Sequence, residues 1–253
     1  MVKGFLSRVV PQGAFFRSLF QSAFTFSVSE DLLTSATFNF ANPRHHVVGA
    51  DCVSQTIPAR EVKGLSDEEI LALFTSGFFG GFVFRAESWV LNLLGARYLP
   101  ARYTAFRPGP DAVIVRRASA IPNRSLLPVG SLLFNSFLLV DKHAKTEAET
   151  ETLSSEKISS KTLAAGSEAS SYVDYGFGSD EARFAGCHRI KVTRLAPADN
   201  GERADGGQVR IDLEHFRCNP QENKPSWAEK HQTLHYVYAK SLFANGMQAL
   251  LAR

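Results

Sequence analysis

The sequence predicts an α+β fold in which an antiparallel sheet of about five to seven strands packs against one long C-terminal helix. Two observations carry this prediction: residues alternate between apolar and polar in the segments 186–195 and 208–218, and 227–251 has a continuous apolar helical face. Few helical segments separate the other strand-like stretches. Neighbouring strands are therefore expected to pair antiparallel in a curved sheet.

The two alternating segments predict a hairpin, because the connector 196–207 is rich in turn-forming residues. One face of the hairpin carries His188, Ile190 and Val192 from the first strand and Val209, Ile211, Leu213 and His215 from the second. Aligning these faces sets Ile190 opposite Leu213 and Val192 opposite Ile211. The same register predicts that His188 lies opposite His215 on the buried face.

The C-terminal segment predicts an amphipathic helix that covers the sheet. Its apolar face carries Leu234, Tyr238 and Leu242 at i, i+4 and i+8, with Phe243, Met247 and Leu250 beside them. A further helix is expected from Ser66, whose spacing to Glu69 is that of a capping box. It is interrupted by glycines at 77–82 and resumes over 87–95, with Gly95 as its C-cap. Further strands are predicted at 24–28, 37–40, 47–57, 112–117, 132–141 and 172–178.

The chain has 253 residues, of which 44% are hydrophobic, and we expect a single domain over 46–253 after a phenylalanine-rich extension at 1–45. Residues 142–171 contain few large apolar side chains, which predicts a flexible insertion. The formal charge of +3 comes without a Lys/Arg run, so no nucleic-acid partner is expected. The sequence leaves the oligomeric state open.

The expected location is the cytoplasm. The three cysteines lack C-x-x-C spacing, which favours a reducing compartment. The sequence contains no long uninterrupted apolar stretch, so no integral membrane segment is expected. A mitochondrial location is the alternative, because residues 1–29 contain no acidic residue and interleave basic with apolar side chains. The competing interpretation packs the phenylalanines of this segment onto the domain.

The layout resembles the helix-grip or START-like (SRPBCC-type) fold, in which a curved sheet grips the last helix around a cavity. The segments 50–53 (ADCV), 57–58 (IP), 66–74 and 87–95 (ESWVLNLLG) resemble the opening of the DUF2867 family. The segments 175–179 (YGFGS) and 185–190 (AGCHRI) are similar to the centre of the DUF1990 family. Both families are domains of unknown function, so the resemblance implies a fold and no particular chemistry.

Aromatic residues around the glycine interruption are candidates for a ligand pocket. The predicted ligand-binding residues are Phe78, Phe79, Phe82, Phe84, Trp89, Tyr238 and Leu242, since apolar pockets with few polar groups hold small hydrophobic ligands. The alternative is that these side chains fill the core. Gly80-Gly81 lacks the G-x-x-x-x-G-K-[ST] pattern of a phosphate loop.

His188 and His215 are the candidate catalytic residues, as proton shuttles in an apolar pocket. Hydrogen-bonded core histidines are the alternative. A metal site is not expected: His231 and His235 are spaced i, i+4, but the H-E-x-x-H glutamate is missing. Asp212, Glu214 and Arg210 share the opposite strand face and are expected to be solvated. Arg189, another candidate, has no assigned role.

Three functions remain open from the sequence. The first is a binding domain for a small hydrophobic or polyketide-like ligand. The second is a cofactor-free cyclase, dehydratase or isomerase with an inward-facing histidine as general base. The third is a structural or interaction domain with a filled core. No cofactor is expected, because the dinucleotide fingerprint and the G-x-S-x-G nucleophile elbow are both missing.

Overall fold

A computed structural model describes residues 12–93, 99–145, 170–195, 207–226, 229 and 232–252. Eight strands occur in these ranges: β1 Ala23–Thr25, β2 Val48–Pro58, β3 Ile114–Val115, β4 Leu132–Leu133, β5 Phe137–His143, β6 Ser171–Gly178, β7 Ala185–Leu195 and β8 Gln208–Cys218. The α-helices in the same ranges are α1 Gln12–Gln21, α2 Glu30–Leu33, α3 Ala36–Ala41, α4 Asp67–Gly80, α5 Phe82–Leu93 and α6 Gln232–Leu251. Short 3-10 helices span Ala59–Val62 and Ala118–Ala120.

The strands form one sheet in the order β1-β2-β8-β7-β6-β5-β4-β3. Pairing is antiparallel except between β3 and β4, which run parallel. The predicted α+β class with a C-terminal helix is confirmed, whereas the predicted number of strands was too low. The segment 132–141, predicted as one strand, contains both β4 and β5, and three of the strands have only two or three residues.

Two local predictions were wrong. Residues 37–40 belong to helix α3, because Ser35 caps the segment by accepting a hydrogen bond from the backbone N–H of Phe38. The predicted strand 132–141 is a hairpin of β4 and β5, which turns at Phe134 and Asn135 with φ of 53° and 63°. Alternation over four residues fits a helical turn or a tight hairpin as well as a strand.

The predicted register of the central hairpin is confirmed. Strand β7 pairs with β8 so that Ile190 lies opposite Leu213, Val192 opposite Ile211 and His188 opposite His215. Because side chains alternate between faces, a shift by one residue would turn all these apolar groups outward. Burial of both strands thus fixes the two histidines side by side.

Both faces of the sheet are covered. Helices α4 and α6 pack on one face over the larger apolar core, which includes Phe74, Phe79 and Phe243. On the other face, α2, α3 and the segment after residue 99 cover a smaller core with Leu32, Tyr103 and Phe216. The N-terminal extension therefore supplies the edge strand β1 and covers the second face of the sheet with α2 and α3.

This second layer overturns the expected solvated strand face. Asp212 and Glu214 are both buried, although Arg210 is exposed. Glu214 accepts hydrogen bonds from the N–H and hydroxyl of Ser29 and pairs with Lys191 at 3.1 Å. Alternation alone could not show that an N-terminal segment would supply these partners.

Helices α4 and α6 approach closely through glycine. A Cβ added at Gly246 would lie 2.6 Å from the ring of Phe74, and one at Gly77 would lie 2.5 Å from the Cβ of Ala249. Any side chain at either position would push the helices apart. This contact holds α6 against the domain.

The predicted helix start at Ser66 is confirmed. Its hydroxyl accepts a hydrogen bond from the Glu69 N–H at 3.2 Å, and Glu69 accepts one from the Ser66 N–H at 3.1 Å. Ser66→Ala should therefore lower the free energy of unfolding by about 1 kcal/mol. Urea denaturation measures this loss, and Ser119→Ala, at an exposed serine, is the control. Equal stabilities of the two variants would contradict the role of the cap.

The segment Asp67–Glu87 meets the length and composition criteria for crossing a membrane, with a mean hydropathy of 1.3 and 44% of the tested window buried inside the protein. Core helices meet the same criteria, so location stays a prediction. Several other predictions lie outside the described residues. These concern Gly95, His231, most of the insertion (146–169) and the first eleven residues. In the described part of the N-terminal segment, Phe15 is buried while Phe16 and Phe20 are exposed.

Candidate functional site

The histidine pair forms the centre of a stack of rings between the sheet and α6. The rings of His188 and His215 are nearly parallel, with centroids 4.7 Å apart. Phe177 lies 4.9 Å from His188 and 5.5 Å from His215. His235, from the first turn of α6, continues the row 5.1 Å from His215. Three imidazoles thus lie in sequence from the sheet to the helix.

A buried carboxylate lies beside this row. Asp51, on β2, faces His215 across the β2–β8 pair. Its Oδ2 lies 2.8 Å from Nε2 of His235, 3.3 Å from Nδ1 of His215 and 2.7 Å from Nη1 of Arg217. One carboxylate oxygen therefore joins two strands to the C-terminal helix.

Arg217 neutralises the site and links it to a second carboxylate. Its Nη1 is also 3.1 Å from Nδ1 of His215. Its Nε forms an ion pair with Oε1 of Glu229 at 2.6 Å, although the angle at this contact is not that of a hydrogen bond. Nη1 carries two hydrogens. It can donate one to Asp51 and the other to Nδ1 of His215, provided that His235 donates its own Nε2 proton to Asp51. In this assignment, Nδ1 of His215 is an acceptor and its Nε2 carries the proton.

His188 differs from the other two imidazoles because it has no polar partner among the described residues. Its Nδ1 is fully buried and unpaired, yet the residue as a whole is partly exposed. The exposed part of the residue therefore lies away from Nδ1. Phe78 and Phe137 lie 5.4 Å and 6.1 Å from the ring. A partly exposed polar side chain in apolar surroundings is a feature of small-molecule sites.

Burial determines the charge of the pair. It lowers the pKa of His188 well below the usual value, and the neighbouring charge of His215 lowers it further. Burial also lowers the pKa of His215, against the opposing effect of Asp51. Burial alone would raise the pKa of Asp51, but the neighbouring His215 and His235 outweigh this effect and hold that pKa far below its usual range. The site thus combines an ionised carboxylate with neutral imidazoles in the sheet.

The three groups Asp51, His215 and His235 could also offer ligand atoms to a metal, since these atoms lie within 4.8 Å of one another. The guanidinium of Arg217 already contacts all three of them at 2.7 to 3.2 Å. A divalent cation would have to displace a buried group of like charge. The arrangement therefore favours a hydrogen-bonded network over a metal centre.

The predicted aromatic residues fall into two groups. Phe78, Phe79 and Phe84 are buried in the core, where Phe79 contacts five other aromatic rings, among them Tyr175 at 5.2 Å. Phe82 and Trp89 are 51% and 66% exposed, so their prediction as part of an interior pocket was wrong. The helix breaks at Gly81 and a new helix begins at Phe82. The side chains after the break therefore no longer continue the helical face of α4.

The two predicted residues of α6 lie on the sheet side of the helix. Leu242 is buried in the larger core, and Tyr238 is half-buried with its hydroxyl donating to a carboxylate oxygen of Glu87. This hydrogen bond joins α6 to α5 on the same side of the sheet as His188. Tyr238 therefore stays a candidate for contact with a ligand, whereas Leu242 has a packing role.

The chain matches no family model. No curated protein and no solved structure matches it either. The resemblance to DUF2867 and DUF1990 is therefore still a prediction.

Asp51, Arg217 and Glu229 were not identified from the sequence. Asp51 shares the inward parity of Val53 and Ile57 on β2, and Arg217 shares that of His215 on β8. A charged residue on an otherwise apolar strand face was thus the available signal. Glu229 offered none, because its contact with Arg217 depends on how the chain returns from β8 to α6.

Proposed function

We propose that this protein is a helix-grip domain that binds a small, largely apolar molecule through a hydrogen bond from His188. The ligand would lie between the sheet and helices α5 and α6, with its carbonyl or hydroxyl oxygen at the accessible edge of the His188 ring. A single observation carries this proposal: His188 is partly exposed in an aromatic environment without any polar partner among the described residues.

The strand order supports the helix-grip assignment. The first long strand, β2, pairs with the last strand, β8. Helices α4 and α5 follow β2, and α6 packs across the sheet after β8. This is the connectivity expected of a START-like domain. The parallel β3–β4 pair and the N-terminal layer on the second face depart from the simple form of that fold.

The chemistry of the ring identifies the kind of ligand. An unpaired N–H is more costly to bury than an unpaired acceptor, so the buried Nδ1 is the unprotonated nitrogen of neutral His188. Its Nε2–H then donates at the accessible edge. A ketone, ester or phenol oxygen would accept this hydrogen bond, while the surrounding phenylalanine rings would contact its apolar body.

Acid–base catalysis is a second candidate function, favoured by the network behind His188. Arg217 donates a hydrogen bond to Nδ1 of His215, and His215 stacks on His188. In a cyclisation or isomerisation, His188 would carry its own proton on Nδ1, so that Nε2 would accept a proton from a bound carbonyl compound and return it to the product. His215 would modulate the pKa of His188. Turnover of an aromatic ketone that is lost in both His188→Phe and His215→Phe would favour this function over binding alone.

Native mass spectrometry of the purified protein tests the binding proposal. We expect a bound molecule on the wild type, either retained from expression or taken up from 2-acetonaphthone, an aromatic ketone. His188→Phe keeps the ring stack and removes the donor, so its affinity for the ketone should fall about tenfold, the effect of one hydrogen bond of about 1.4 kcal/mol.

The exposed histidine His143 provides the matched control, because His143→Phe makes the same change at the end of β5. It should bind as the wild type does. Equal binding by His188→Phe would contradict the role of His188. A wild type that neither retains a molecule nor takes up the ketone would contradict the binding function and support a structural domain with a filled core.

A further inference from the structure

A cavity of about 550 Å³ lies on the opposite face of the sheet, away from the histidine row. It is formed where the segment 101–108 passes over β4 and β5. Its lining includes Arg102, Tyr103, Arg107, Val113, Ile114 and Leu138. This volume is within the range of small-molecule sites, which is about 300–1,000 Å³.

The floor of this cavity is fixed by hydrogen bonds. The hydroxyl oxygen of Tyr103 lies 3.0 and 2.9 Å from the carbonyl oxygens of Phe177 and Gly186, which share its single hydrogen. The N–H of Thr104 donates to both carboxylate oxygens of Asp180, at 3.0 and 3.1 Å. A Cβ at Gly176 would lie 2.6 Å from the Tyr103 ring, so the tyrosine seats directly on β6. The cavity is thus preformed.

Its lining is apolar with a positive rim. Val113 and Ile114 are 42% and 65% exposed, which is unusual for side chains of this kind next to a sheet. The lining contains two arginines and no acidic residue. Among the described residues, Arg107 donates hydrogen bonds only through Nη1, to the carbonyl oxygens of Thr104 and Phe106. The Arg102 side chain has no ion-pair partner in the same part of the chain.

We propose that this cavity binds a small molecule with an apolar body and one anionic group, such as an aryl carboxylate or sulfonate. The apolar body would cover Val113, Ile114 and Leu138. The anion would accept hydrogen bonds from the remaining N–H groups of Arg107 and from Arg102, whose planar guanidinium groups suit carboxylate geometry. This site is independent of His188, since the sheet separates the two.

Two fluorescent probes that differ mainly in charge test this proposal. The anion is 8-anilino-1-naphthalenesulfonate, and N-phenyl-1-naphthylamine is its neutral counterpart. The double variant Arg102→Gln/Arg107→Gln should weaken binding of the sulfonate about tenfold and leave the affinity for the neutral probe nearly unchanged. Arg116→Gln, at an exposed arginine outside the lining, is the matched control and should change neither affinity.

A third variant locates the probe. Ala112→Trp fills the cavity from a partly exposed loop position and should abolish binding of both probes, whereas His188→Phe should affect neither. Sulfonate binding that is unchanged in the double arginine variant would overturn the anionic assignment. Sulfonate binding that is lost in His188→Phe but kept in Ala112→Trp would place the anion in the histidine site and overturn the second site, without contradicting the function proposed for His188.

Discussion

Replacing Asp174 by alanine is expected to destabilise the protein by about 3–5 kcal/mol, because the change leaves the Arg189 guanidinium buried without its partner. Nε and Nη2 of Arg189 donate to the two Asp174 oxygens at 2.7 and 2.8 Å, and both side chains are at most 2% exposed. Thr37 donates to the same carboxylate at 2.7 Å. The loss should be measured by urea denaturation of the purified variant.

The charge on Arg189 cannot be relieved by loss of a proton. Burial opposes it, but the hydrogen bonds and charge of Asp174 raise the pKa of Arg189 above its ordinary value. The guanidinium also lies 4.2 Å from the centre of the Tyr172 ring. This pair connects α3 to strands β6 and β7, so its loss should loosen the N-terminal layer on the second face of the sheet.

The surface pair of Arg183 and Glu222 is the control. These side chains are 79% and 37% exposed at 3.3 Å, so Glu222→Ala should have little effect on stability. The double variant Asp174→Leu/Arg189→Met should recover much of the stability that Asp174→Ala loses, because it removes both charges. If Asp174→Ala lowers the free energy of unfolding no more than Glu222→Ala does, the Asp174–Arg189 pair is not stabilised by burial.

Acid should destabilise the wild type more steeply than His188→Phe. The folded pKa values of His188 and His215 lie below the unfolded value of about 6.5, so the unfolded chain takes up protons that the folded chain does not. Their contribution to stability is present above about pH 6.5 and is lost as the pH falls towards the folded pKa values, by about 1.4 kcal/mol per pH unit for each group.

The groups that face the pair act in opposite directions. Asp51 favours protonation of both imidazoles, whereas Arg217 and His235 oppose it, and burial has the largest effect on each. His188→Phe removes one titrating group and should reduce the slope of stability against pH. Phe79→Leu is the control: it loosens the same core without removing a titrating group, so it should lower stability by a similar amount at each pH. Equal slopes for the wild type and His188→Phe would contradict a depressed pKa at His188.

The sequence predicted the β7–β8 hairpin because its information is local. The strands are close along the chain, their apolar parity is unambiguous, and only one register buries Ile190 against Leu213 while placing His188 beside His215. The capping box at Ser66 was recognisable for the same reason, since its two partners are three residues apart.

The rest of the site depends on contacts between distant parts of the chain. Asp51 meets His215 only because β2 pairs with β8. These two residues are 164 positions apart in the sequence. Phe82 and Trp89 were assigned to the wrong side because the break at Gly81 resets the helical phase. Glu214 finds Ser29 only through the N-terminal layer. None of these pairings follows from local periodicity.

NMR titration of the imidazole protons tests the histidine pair most directly, with signals assigned from His188→Phe and His215→Phe. Stacked in the apolar interior, at least one of these two residues should remain neutral below about pH 6. If both titrate independently near the model-peptide value of about 6.5, the pair is exposed to solvent, and the ligand site proposed at His188 is wrong.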